Sequence, residues 1–150
     1  MSTIEQACEQ FRLLLTQQLD RAANMQTEKT DFSQKETVTI GIIDGDGIGP
    51  VIMCQAVRVL QKLLAQQIAA GKVQLKTIEG LTIENRLALG QSVPAQVLEQ
   101  IKSCDVLLKG PTTTPHGGTM ESANVTMRRE LDLYANTRPV CIPEKNIDWM

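Results

Sequence analysis

The sequence predicts an α/β fold built on a parallel sheet, and three observations carry that reading. From Thr37 onward short apolar runs alternate with stretches of helical length. A glycine-rich turn, Asp44 to Gly49 (DGDGIG), joins the first run to the first such stretch. The chain has 150 residues, 42% hydrophobic and 21% charged, which is enough to bury a core in a globular domain.

The first 36 residues stand apart from the rest. Ile4, Cys8, Phe11, Leu14, Leu15 and Leu19 recur at three- and four-residue steps and form one apolar helical stripe. Thr3 can cap that helix, with Glu5 and Glu9 near its positive end. The stripe suits packing against the main body or an oligomer neighbour better than a dedicated partner site. Asn24 to Glu36 is polar and without period, as a linker is.

The second part opens with a strand at Val38–Ile43. After the glycine turn, Pro50 fits the first turn of a helix, where its missing N–H is not needed. That helix carries Val57, Leu60, Leu64 and Ile68 and stops at Gly71. Lys72 to Glu79 reads as a second strand. Val93 to Ser103 reads as a helix capped by Ser92, and Cys104 to Lys109 as a buried strand. A last helix starts near Ser122 and carries Val125, Met127, Leu131, Leu133 and Tyr134. Asn146 to Met150 begins a new apolar stretch that stops before an element is complete, so the chain reads as part of a longer protein.

Composition narrows the function. Lys+Arg of 15 against Asp+Glu of 17 gives a formal charge of -2, without the basic excess of a nucleic-acid binder. Two Phe, one Tyr and one Trp leave little for base stacking. Four scattered cysteines and a single His fit neither a zinc site nor a disulfide scaffold, so reduced thiols are expected. The sequence shows no membrane span, secretory signal or transit peptide, which makes the cytoplasm the default compartment.

The glycine turn invites comparison with the dinucleotide-binding fingerprint, which needs glycines at its first, third and sixth positions. Gly45 and Gly47 supply two, but Pro50 occupies the sixth. The match fails, and a tight strand-to-helix turn is the better reading.

The richest stretch is Lys109 to Pro139, KGPTTTPHGGTMESANVTMRRELDLYANTRP. Ser122 falls at a helix start, where backbone N–H groups favour a carboxylate. Asn124 and Arg128 are four apart and share a face. Arg138 follows the helix, before Pro139. If the chain turns back, two guanidiniums, an amide and a hydroxyl form a site for a molecule with several carboxylates. Spacing alone serves equally well for a solvated face over Arg128-Arg129-Glu130 with Ser122 as an ordinary cap.

GDGIGP on a strand-to-helix turn, then KGPTTTP, S-x-N-x-x-x-R and ELDLYANTRP in order, resembles the isocitrate and isopropylmalate dehydrogenase family over about Thr37 to Pro139. The resemblance implies an α/β sandwich that is not a standard Rossmann domain and is incomplete here. Residues 37–134 would be the N-terminal part of the large domain, and 135–150 the start of a second, after the 1–36 extension. It implies oxidative decarboxylation of isocitrate to 2-oxoglutarate, a tricarboxylic acid cycle step, with NAD or NADP and with Mg²⁺ or Mn²⁺. Ser122, Asn124, Arg128 and Arg138 would bind the tricarboxylate substrate, and Thr113 and Thr114 would lie at the nicotinamide. The metal ligands and catalytic Tyr and Lys would lie beyond residue 150, so the 150-residue chain is expected to be inactive. Neither nucleic acid nor membrane is an expected partner, and the full-length protein is expected to form a homodimer or higher homo-oligomer.

The Ser-x-Asn pair resembles the isocitrate version, because isopropylmalate enzymes carry leucines in that helix. Departures from the pattern are Asp44, Val51 and Glu121, of which the last bears on function. A carboxylate beside Ser122 would repel an anionic substrate unless it points away, and isopropylmalate relatives use a Glu nearby. An isopropylmalate- or homoisocitrate-type enzyme, or a non-catalytic regulatory subunit that binds isocitrate, are the alternatives.

Overall fold

The computed structural model describes residues 3–23, 30–115, 117–118 and 120–140. The chain divides into two compact units, residues 1–35 and 36–150. In the first, helix α1 spans Thr3–Ala23 and carries the apolar stripe, with Glu5 in its first turn and Arg21 in its last, as the helix dipole favours. The polar segment after it is not wholly irregular. A 3-10 turn covers Phe32–Gln34, and the Asp31 carboxylate caps it by accepting from the Ser33 N–H at 2.9 Å.

The second unit runs β1 (Val38–Ile43), α2 (Gly49–Leu63), α3 (Ala65–Ala69), β2 (Val73–Thr77), α4 (Ile83–Leu89), α5 (Ala95–Lys102), β3 (Val106–Lys109) and α6 (Ala123–Glu130). Among the described residues its three strands are all parallel, in the order β2-β1-β3. This is the α/β architecture with a parallel sheet that the sequence predicts. Central β1 is buried over its last four residues. A strand covered on both faces reads as a continuous apolar run, as Ile40, Ile42 and Ile43 do here.

The main core gathers on one face. Ile43 from β1, Ile78 and Leu81 after β2, Val93, Val97 and Ile101 of the α5 region, and Ala123 and Met127 of α6 form one buried cluster. The α5 stripe Val97/Ile101 is a single helical turn, which is why the period-3.6 reading located this helix.

Several elements differ from the sequence reading. The helix expected from Pro50 to a stop at Gly71 is interrupted at Leu64 (φ -102°, ψ 15°), although backbone bonds from Leu64 to Leu60 and from Ile68 to Leu64 carry the helical path past the break. The two later strands are shorter than expected. Helix α5 is capped at Pro94 and not Ser92, whose hydroxyl pairs instead with that of Thr126 at 2.8 Å. Helix α4 lies where no element was read. It has a Thr82 cap accepting from the Asn85 N–H at 3.4 Å and a left-handed Gly90 at its end. Helix α6 ends at Glu130, four residues before Tyr134. Asp132 takes φ 53°, and the Leu133 N–H turns back to the Arg128 carbonyl at 3.0 Å. Leu133 and Tyr134 are therefore exposed rather than part of the helical stripe.

The apolar stretch at 146–150 and most of the segment read as a second domain lie outside the described residues. Cys8, Cys54 and Cys104 are free thiols, and Cys141 falls outside the described residues. Among the described residues no helix is long and apolar enough to cross a membrane.

Candidate functional site

Parallel pairing brings the C-terminal ends of all three strands to one side, with Ile43 opposite Lys109 and Ile42 opposite Thr77. The chain passes from β1 to β2 on one side, then from β2 to β3 on the other. The crevice between β1 and β3 is therefore a topological switch point, where open α/β sheets bind ligands.

The glycine turn lies at this crevice and is already filled by protein. The Asp46 N–H donates to the Pro111 carbonyl at 2.8 Å. A Cβ on Gly45 would run into the Pro111 carbonyl oxygen, and one on Gly110 into that of Asp44. Gly45 and Gly110 let the turn after β1 pack directly on the loop after β3. Gly45 also has φ +78°, a conformation that side chains resist. Gly45→Ala is therefore expected to destabilise the protein by roughly 3 kcal/mol or more, combining backbone strain with displacement of the loop. Gly47 (φ +59°) would meet nothing with an added Cβ, and Gly47→Ala should cost only about 1–2 kcal/mol. Urea unfolding of the two variants checks that order.

Beneath the crevice lies a buried charge pair that the sequence did not reveal. Arg86, on α4, is 0% exposed and faces Asp46 of the glycine turn, with Nη1 and Oδ2 3.9 Å apart. That separation is too long for a direct hydrogen bond, so main-chain groups, with the Met120 Sδ at 3.9 Å from Arg86 Nη2, satisfy both charges. Asp46 accepts from the Ile83 N–H and the Thr113 N–H, each at 2.7 Å. Arg86 donates to the Ser92 and Thr113 carbonyls, each at 2.8 Å. The turn after β1, the helix after β2 and the loop after β3 are thus tied together at their buried ends. Sequence offered one weak signal, a Thr-capped, Gly-terminated segment at 82–90.

Thr113 and Thr114 lie on the loop after β3, and both are exposed. Thr112 links the loop to α6. Its hydroxyl donates to Asn124 Oδ1 at 3.5 Å, a long bond, and accepts from Lys109 Nζ at 3.3 Å. Burial holds the Lys109 ammonium below the usual lysine range. Arg86 lowers it further, and Asp46 partly opposes both effects.

Ser122 is the cap residue of α6, yet its side chain makes no capping bond. Its carbonyl accepts from the Val125 and Thr126 N–H groups instead. Asn124 is half-buried, and Arg128 is exposed one turn further on. Among the described residues Arg128 pairs with no carboxylate. Arg129 does, with Glu121 at 3.1 Å and Glu130 at 3.3 Å. Glu121 also accepts from the buried Thr126 hydroxyl at 2.8 Å. The acid beside Ser122 is thus engaged by Arg129 and Thr126. Glu121→Gln is expected to shift the KM for a carboxylate substrate by less than about threefold, since an exposed pair of this kind contributes little.

Arg138 is exposed in the irregular chain after α6, and among the described residues no hydrogen bond or ion pair joins it to Ser122, Asn124 or Arg128. His116 and Thr119, on the loop between, lie outside the described residues. A groove of about 710 Å³ lies at the opposite end of the sheet, between Gln61, Ala65 and Ile68 and the first residues of β2, Val73, Gln74 and Leu75. It presents no ionisable side chain and cannot pair with carboxylates. Among the described residues no three His, Cys, Asp or Glu gather to hold a metal ion.

The family model for isocitrate/isopropylmalate dehydrogenases matches residues 39–148. The chain belongs to this family. Among its relatives, the NADP isocitrate dehydrogenase of Archaeoglobus fulgidus is 44% identical over 102 residues, covering 67% of this chain and 24% of the relative. That of Caldococcus noboribetus is 35% identical over 135 residues, or 77% of this chain and 29% of the relative. That of Rickettsia bellii is 39% identical over 107 residues, or 69% and 20%. The chain thus spans less than a third of the length of these family relatives.

Proposed function

We propose that this chain carries the substrate-carboxylate half of an NADP-dependent isocitrate dehydrogenase whose remaining parts lie in further sequence. The observation that carries the reading is the division of labour on α6. Glu121 and Glu130 engage Arg129, while among the described residues Arg128 pairs with no carboxylate, the Ser122 side chain makes no capping bond, and Asn124 is joined to Thr112 of the loop after β3. A hydroxyl and an amide at a helix start, with a guanidinium one turn further on, suit a polycarboxylate.

In this reading Arg128 pairs bidentately with one carboxylate, and Ser122 donates its hydroxyl to another alongside the α6 N–H groups. Asn124 supplies an amide donor, its oxygen being turned to Thr112. Arg138 joins from the segment after α6. The exposed residues Thr113 and Thr114 would border the nicotinamide, whose chemistry would be to accept hydride from the substrate alcohol. The described residues do not form a metal site, so the Mg²⁺ or Mn²⁺ of the proposed reaction would need ligands from elsewhere. The engagement of Glu121 favours isocitrate over isopropylmalate, because it removes the acid that kept the second substrate in view. The amide of Asn124 would also be a poor floor for an isopropyl group.

A substrate panel on the full-length protein tests this. Isocitrate-dependent reduction of NADP is expected, with kcat/KM for isopropylmalate lower by about a hundredfold or more, a gap within reach of one buried polar contact. Equal turnover of both substrates would overturn the assignment. The 150-residue chain alone is expected to reduce no cofactor.

A further inference from the structure

We propose that Asp46 and Arg86 are positioning residues for the cofactor, acting through the main chain of Thr113. The inference rests on the reading of residues 113–114 as the nicotinamide end of the site. It adds two residues from other parts of the sequence, neither of which touches the cofactor.

The geometry is specific to one residue. Asp46 holds the Thr113 N–H at 2.7 Å, and Arg86 holds the Thr113 carbonyl at 2.8 Å, so the peptide groups on both sides of this threonine are fixed. Two gripped peptides fix the Cα–Cβ direction of Thr113, and the residue is exposed. The grip is itself rigid. Asp46 is also bonded to the first turn of α4 through Ile83, and Arg86 to the Ser92 carbonyl that precedes α5. Arg86 is 0% exposed and the Asp46 side chain 4%, so water cannot stand in for either partner. Among the described residues every buried side-chain nitrogen or oxygen has a hydrogen-bond partner.

A charge pair that only held the fold together could bond to any backbone groups in reach. This one spends one bond from each charge on the same residue, at the crevice where the three parallel strands end. Ser122, Asn124 and Arg128 receive no bond from Asp46 or Arg86, so the substrate half of the site should not feel their loss directly. The inference therefore separates the two ligands of one site.

The test is kinetic and uses the full-length protein. Asp46→Asn keeps the shape and removes the charge. Arg86→Lys keeps the charge with fewer donors, and Arg86→Met removes both. Asp46→Asn and Arg86→Lys are each expected to raise the KM for NADP about tenfold or more, with the KM for isocitrate within about threefold of the parent. Arg86→Met is expected to be the more severe variant, so that lysine gives partial rescue. Deuterium exchange in a peptide covering residues 110–115 should quicken in the same variants. Both KM values rising together, or a lowered melting temperature with both KM values unchanged, would mean a purely structural pair and overturn the proposal. If the parent protein reduces no NADP with isocitrate, the functional reading fails instead. The exchange measurement then still decides whether the two residues hold Thr113, and unchanged exchange would sink that as well.

Discussion

Arg128→Ala is expected to lower kcat/KM for isocitrate in the full-length protein by about 30-fold to several-thousand-fold. That range corresponds to the ~2–5 kcal/mol lost when one partner of a desolvated charge pair is removed. The structure sharpens the expectation by supplying its control one position away. Arg129 carries the same charge on the same helix, but its guanidinium is engaged by Glu121 at 3.1 Å and Glu130 at 3.3 Å. Its side chain points about 100° around the axis from Arg128. Arg129→Ala should change kcat/KM by less than about threefold, since exposed pairs are worth ~0–1 kcal/mol. Arg128 has no carboxylate partner among the described residues, so a substrate carboxylate meets no competitor there. The paired measurement is steady-state kinetics of both variants with folding checked by melting. Equal losses in the two would place the site on the wrong face of α6.

Which parts of this site could be read from sequence depends on how far apart the interacting residues are. β1 was legible residue for residue, because a short β-type run rich in Val and Ile, bounded by Thr37 and Asp44, has few other ways to be buried. Helix α6 was legible at its start, where Ser122 ends an extended segment. Its end was not, because Leu131, Leu133 and Tyr134 continue an apolar pattern while Asp132 turns the backbone left-handed. Helix α4 is seven residues long, too short for a periodic signal, and only its Thr82 cap and terminal Gly90 mark it. The role of Arg86 could not be read at all. Its partners Asp46 and Thr113 lie 40 residues before it and 27 after, and they meet only once β1 and β3 are paired. The concern over Glu121 illustrates the same limit. Its charge was visible in the sequence, but the direction of that charge depends on Arg129, eight residues away.

Ser122→Asp is expected to fold like the parent, bind cofactor, and lose about a thousandfold or more in turnover of isocitrate. The folding half of the expectation follows from the cap. The Ser122 side chain makes no bond to the first turn of α6, so replacing it removes nothing from the helix. Aspartate is itself a strong N-cap and can accept from the N–H groups there, which are also suited to a negative charge. The functional half follows from the same position. A fixed carboxylate would stand where the proposed substrate carboxylate is to sit. Two like charges about 4 Å apart at the edge of a protein repel by ~4 kcal/mol, which is close to a thousandfold in binding. Ser122→Ala separates charge from hydrogen bonding. It deletes one donor to a charged group, worth ~1.5–3 kcal/mol, and should retain about ten times or more the activity of the aspartate variant. The cap predicts little loss of stability for alanine too, in contrast to the ~1 kcal/mol usual when a bonded cap serine is removed. Kinetics and thermal melts of the two variants, with NADP binding followed by fluorescence, complete the comparison. An aspartate variant that turns over isocitrate as well as the parent would leave Ser122 as a helix start alone and move the carboxylate site elsewhere.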